Sequence, residues 1–188
     1  MRLSVPCRAT ISLASIDTPK RAAVISCSIL ALSAFFCAAA FFDADNDGDL
    51  DLMVGSGGNE VGREQTYRTR LYLNDGKGSL SVSEKTIPST FKNVSVIAPF
   101  DFDADGDQDV FIGSKSVVGV YGLDPDHLLL ENRGEGQFVD VTERVGYDLK
   151  DAGMVSDAIW ADINNDQKAD LITVSGWGTP KIYQETCL

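Results

Sequence analysis

The sequence predicts an all-β chain of β-propeller blades, four-stranded antiparallel sheets forming a partial propeller of about two and a half to three repeats. Three observations carry this reading. A nine-residue Asp-rich segment recurs three times, at 43–51, 101–109 and 162–170, so the offsets are 58 (101 − 43) and 61 (162 − 101). Each copy lies between short apolar runs of strand length. Beyond residue 38, no stretch shows a long amphipathic helical period.

Each repeat divides into the same elements. An apolar strand enters the Asp-rich loop (Ala38–Phe42, Val94–Phe100, Ala158–Ala161) and a second leaves it (Leu52–Val54, Val110–Ile112, Leu171–Val174). A hairpin follows, pairing Leu71–Leu73 with Ser81–Ser83 and Leu128–Leu130 with Phe138–Val141 around Gly-containing turns. The third copy starts this run at Lys181–Gln184 and stops. The repeats therefore occupy 38–90, 91–150 and an incomplete 151–188, behind a leader of residues 1–37. A blade has two apolar faces and needs neighbours on both. Propellers close with about four to eight blades, so further blades in the same or another chain are expected partners.

The leader differs from the rest. It carries four basic residues against one acid, then an uncharged tract from Ala22 to Phe42. This reads as a secretory signal with small residues at Ala38–Ala40, or as a membrane anchor, which would be the chain's only membrane contact. A secreted, periplasmic or cell-surface location is expected. Cys7, Cys27, Cys37 and Cys187 all fall outside the repeat loops, so no disulfide framework is indicated.

The net charge is −12, which disfavours contact with phosphate backbones and hence nucleic-acid binding. The acidity is concentrated: 13 of the 21 Asp residues lie in the three loops. Short, clustered Asp with Asn and Gly points to ligation of a hard cation. In the pattern D-x-[DN]-x-D-G-x-x-D, carboxylates at positions 1, 3 and 5 converge on one side of a tight loop. Gly at position 6 permits the turn, position 7 offers its carbonyl and position 9 closes the far side. The candidate ligands are Asp43, Asp45, Asp47, Asp49 and Asp51 in the first loop, and Asp101, Asp103, Asp105, Asp107 and Asp109 in the second. Those of the third are Asp162, Asn164, Asp166, Lys168 and Asp170. Lys168, like Asp49 and Asp107, stands at position 7. Several oxygens on a hard cation suit Ca²⁺. An EF-hand would need an acid at position 12, where Val54 and Ile112 stand. Two calcium sites are expected. The third loop, with Gln167 for Gly and Lys168 beside it, is expected to bind weakly or not at all.

These residues resemble the FG-GAP/VCBS repeats, the calcium-loop blades of integrin α-chain propellers and of many secreted bacterial proteins. Ala39–Leu52, Leu71–Gly78 and Gly153–Trp160 are similar to bacterial VCBS-repeat proteins often joined to an ASPIC/UnbV domain. The resemblance covers residues 38 to about 184. It implies a seven-bladed propeller, calcium held by positions 1, 3, 5 and 9 of each loop, an extracellular or periplasmic setting, and adhesion or ligand binding rather than chemistry.

Other residues invite functional readings. His127, the only histidine, has no nucleophile motif to serve and is expected at a strand edge. Trp160 and Trp177 could form a sugar-stacking surface, but each flanks a strand and is expected to pack between blades. Asn93-Val94-Ser95 is a formal glycosylation acceptor. Gly55–Gly58 lacks the following helix that a phosphate cradle needs. The sequence thus predicts a calcium-binding module for a protein or glycan ligand, without an active site. The alternative is a propeller portion, catalytic or not, of an exported polysaccharide-acting enzyme.

Overall fold

A computed structural model describes residues 36–58, 67–83, 87–88, 92–120, 122–145, 149 and 152–184. The apolar leader upstream of residue 36 lies outside the described residues, as do Cys7, Cys27 and Cys187. Among the described residues no helix is long and apolar enough to cross a membrane.

Three antiparallel sheets follow one another along the chain. The first orders β1 (Phe36–Phe42), β2 (Asp51–Ser56), β3 (Arg70–Asn74) and β4 (Leu80–Val82) as a meander. The second repeats it with β5 (Val94–Phe100), β6 (Asp109–Ser114), β7 (Leu128–Asn132) and β8 (Phe138–Asp140), followed by a single helical turn, α1 (Thr142–Val145). The third has three strands: β9 (Val155–Ala161), β10 (Asp170–Ser175) and β11 (Lys181–Tyr183). These are the blades of a partial propeller, and each expected strand forms, most of them one to three residues longer than their apolar runs. β1 begins at Phe36, inside the stretch assigned to the leader.

The register is the same in all three blades. Met53 pairs with Ala40 and Leu71, Phe111 with Ala98 and Leu129, and Ile172 with Ile159 and Ile182. Side chains alternate across a strand, so each trio projects from one face of its sheet. The first trio is buried against Val94, Ile97, Val110 and Ile112 of the second blade. The second trio is buried against Val155, Leu171 and Tyr183 of the third. The middle blade is covered on both sides, and every residue of β6 and β7 is buried. The third trio has no covering sheet among the described residues, and Ile159 and Ile182 are 61% and 52% exposed.

Glycine sets the spacing between blades. Gly55 and Gly113 stand four residues beyond position 9 of their loops, where the first strand of the next blade passes. A Cβ on Gly55 would come within 2.4 Å of Val94 Cγ1, and one on Gly113 within 2.8 Å of Val155 Cγ1. Gly55 is therefore a packing residue. In the third blade the equivalent position holds Val174, 45% exposed.

Polar contacts reinforce the stack. Ser95 donates its hydroxyl to the Val155 carbonyl at 2.6 Å, and Trp160 Nε1 donates to the Ala98 carbonyl at 3.2 Å. Trp160 also stacks on Phe100 at 5.3 Å between ring centroids, so it packs between blades as expected. Trp177 does not: it lies in the turn between β10 and β11 and is 67% exposed, because that turn projects beyond the sheet. His127 is not an open strand-edge residue either. It is buried beside Phe111, and its Nδ1 accepts the Ser114 N–H at 3.1 Å. Burial lowers its pKa to about 4, with the Gly153 carbonyl opposing. Asn93 is buried, accepting the Gly58 N–H and donating to the Ser116 hydroxyl, which leaves the formal glycosylation acceptor inaccessible in the folded chain.

Candidate metal centre

The loops joining the first two strands of each blade fold alike. Position 4 takes a left-handed backbone in all three, at Asn46, Ala104 and Asn165 with φ of 62°, 59° and 60°. Position 6 does so again: Gly48 at 93°, Gly106 at 99° and Gln167 at 73°. Two left-handed residues two apart coil the chain so that positions 1, 3 and 5 face inward. Side-chain bonds hold this shape. Asp43 accepts the Gly48 N–H and Asp101 the Gly106 N–H, at 3.0 and 3.1 Å. Asp47 and Asp105 accept the N–H two residues on, both at 2.9 Å. The third loop keeps the bond from Gln167 N–H to Asp162, at 3.0 Å, despite the side chain at position 6.

Carboxylate oxygens of Asp43, Asp45 and Asp47 lie within 4.8 Å of one another, as do those of Asp101, Asp103 and Asp109. Across the two loops, positions 1, 3, 5 and 9 are all represented. One oxygen of each position-1 carboxylate, Asp43 Oδ1 and Asp101 Oδ1, is buried without a hydrogen-bond partner. An anionic oxygen hidden from water and lacking a donor calls for a cation. The donor sets of these two loops therefore fit a metal ion, and their all-oxygen character fits a hard one.

Position 9 has a second task that the sequence reading missed. Asp51 and Asp109 are fully buried. Asp51 accepts the N–H of Ala44 and of Asn74, both at 2.8 Å, and Asp109 accepts those of Phe102 at 3.0 Å and Asn132 at 2.8 Å. Each carboxylate thus bolts its loop to the third strand of the blade. Burial pushes the Asp109 carboxyl up to about 7; the two N–H bonds oppose this, and Asp103 and Asp105 add to it. Burial raises Asp51 and Asp103 as well. A cation in the loop would act against these shifts and hold the carboxylates ionised.

Position 7 behaves differently. A Cβ on Gly76 would meet Asp49 Oδ2 at 2.4 Å, so the Asp49 side chain leans onto the hairpin turn after β3, and Asp107 Oδ1 accepts a bond from Asn46 of the preceding loop. Asp107 is thereby engaged outside its own loop. Lys168 is exposed, with its N–H on Asp166 at 2.9 Å. Asn132 Nδ2 donates to the carbonyls of Ala44 at 2.9 Å and Gln108 at 3.2 Å, linking the first two loops. Asn74 and Asn132 both follow apolar runs that recur with the loops, but only the pairing of strands brings them to position 9.

The third loop is altered. Asn164 turns its amide into the loop, donating to Asp166 Oδ2 at 2.8 Å and accepting the Asp166 N–H at 2.9 Å. Asp162, Asp166 and Asp170 do not form a convergent carboxylate group like the other two. Asp170 is buried with its Oδ2 3.4 Å from the Ile163 nitrogen; the register puts the counterpart of Asn74 and Asn132 at residue 185, outside the described residues.

A strand–loop–strand unit recurs in all three stacked sheets, and in the first two its carboxylates converge closely enough to hold a cation; this defines a class of propeller blade. Residues 43–112 match a family model described as an FG-GAP-like repeat, spanning the first loop to the strand beyond the second. Over that segment the chain is similar to FG-GAP-like repeats. No curated protein matches it.

Proposed function

We propose that the chain is a calcium-binding propeller module that binds a protein or glycan partner outside the cytoplasm, with calcium in a structural role and no catalysis of its own. The observation that carries this reading is the pair of buried, unpartnered oxygens, Asp43 Oδ1 and Asp101 Oδ1, at the same place in two successive blades. An active site occurs once; a structural ion recurs with the repeat. Extracellular calcium modules work with dissociation constants of about 10⁻⁴–10⁻³ M, which exposed loops of this kind suit.

Thermal unfolding with and without calcium tests it. Each filled site should add about 2.7 kcal/mol when free calcium is 100-fold above its dissociation constant. Asp105→Asn and Asp47→Asn should remove most of that gain. A melting temperature indifferent to both calcium and chelator would end the reading.

Further blades, in the same or another chain, are the partner best supported for the third sheet. Its row of Ile159, Ile172 and Ile182 is equivalent by register to rows buried between the blades upstream. Sedimentation of the isolated chain checks this: association through that face should be relieved by Ile172→Lys, and a monomer at high concentration argues against it.

A further inference from the structure

At the end of the sheets opposite the Asp loops, a cavity of about 290 Å³ opens between the second and third blades. Its walls include Asp124 from the segment before β7, Gly153 from the approach to β9, Ser175 at the end of β10, Trp177 and Thr179 from the β10–β11 turn, and Lys181 at the start of β11. We infer that this cavity is a binding site for a neutral sugar ring, with Trp177 as the stacking platform and Asp124 as a hydroxyl partner. The inference rests on the binding-module reading above and names its ligand and its site.

Four features point this way. First, Trp177 spends most of its surface on water, whereas Trp160 in the same blade is packed on Phe100. An indole carries one of the largest apolar faces among side chains, and a ring with an apolar C–H face covers it at little conformational cost. Second, backbone brings two walls close together: Gly153 has φ of 75°, and a Cβ there would sit 3.1 Å from Ser175 Oγ. Third, the lining residues include one acid, Asp124, one base, Lys181, and two hydroxyl residues, Ser175 and Thr179. Opposite charges in one small cavity disfavour a strongly anionic or cationic ligand and favour one that both donates and accepts hydrogen bonds. Fourth, the volume is at the small end of ligand cavities, about 300–1,000 Å³, which suits one ring of a longer glycan.

The cavity shares no residue with the Asp loops, so sugar and ion can be tested apart. Calcium-loaded chain is titrated with neutral mono- and oligosaccharides taken from a neutral glycan array, followed by calorimetry and tryptophan fluorescence. At least one neutral glycan should bind, with affinity falling ten-fold or more in Trp177→Ala and measurably in Asp124→Asn. Both variants alter exposed side chains, so their calcium-loaded melting temperatures should stay within about 2 °C of the parent. Binding by none of the neutral glycans, or equal binding by Trp177→Ala, overturns the proposal; capture of a protein or charged ligand at Trp177 instead does the same. Glycan binding that persists while calcium leaves the melting temperature unchanged would sink the calcium reading and spare this one.

Discussion

Replacing Gly55 with alanine should loosen the first blade from the second. Its backbone lies outside the left-handed region, so alanine itself brings no conformational strain. The obstacle is Val94: the new Cβ would lie 2.4 Å from its Cγ1, 2.7 Å from its Cβ and 3.2 Å from its Cγ2. Turning the valine about χ1 cannot move its Cβ, and Val94 is fully buried, so β5 itself must shift. Overpacking of this kind costs about 1–3 kcal/mol. In a chain of 188 residues that lowers the melting temperature by roughly 2–12 °C. Val94→Gly removes all three contacts but opens a cavity, so it too should destabilise. The double variant Gly55→Ala/Val94→Gly should recover about 1 kcal/mol or more relative to the sum of the singles. Denaturant titration of the four proteins measures the cycle. A Gly55→Ala protein within about 0.5 kcal/mol of the parent would refute the claim that this glycine sets blade spacing.

Two further outcomes follow from buried groups. Asp109→Ala strips acceptors from the N–H groups of Phe102 and Asn132, which at about 1–3 kcal/mol each should cost roughly 2–6 kcal/mol even under chelation. Asp105→Asn, at an exposed position, should under chelation stay within about 1 kcal/mol of the parent, and urea unfolding in excess chelator separates the two. His127, with its pKa lowered from 6.5 to about 4, is held neutral in the folded chain while the unfolded chain takes up a proton. Its contribution is whole above pH 6.5 and is lost as pH falls toward 4, about 3 kcal/mol in all. His127→Asn, which can still accept the Ser114 N–H, should flatten the stability profile between those values, and an unchanged slope would show that the ring is not buried as described.

What the sequence made legible was everything with a short period. The short apolar runs and the recurring loops beside them located each strand, because both signals are written in neighbouring residues. The loop ligands were legible for the same reason: Asp43, Asp45 and Asp47 owe their convergence to local turns. The second task of Asp51 and Asp109 was not, since its partners Asn74 and Asn132 lie 23 residues away and are brought in by strand pairing. Trp160 and Trp177 look alike in the chain, each beside a strand, yet one is roofed by Phe100 and the other stands in a turn. Only the stacking of sheets separates them.

The common register of the three sheets has a mechanical consequence. Because each blade touches only its neighbours, rigidity should grade along the stack rather than switch on as a whole. The second sheet, clasped from both sides, is its keel: amide hydrogens of β6 and β7 should exchange last, while β4 and β11 trade theirs early. A molecule built this way can leave its outermost sheet pliant for docking and still keep a stiff spine behind it.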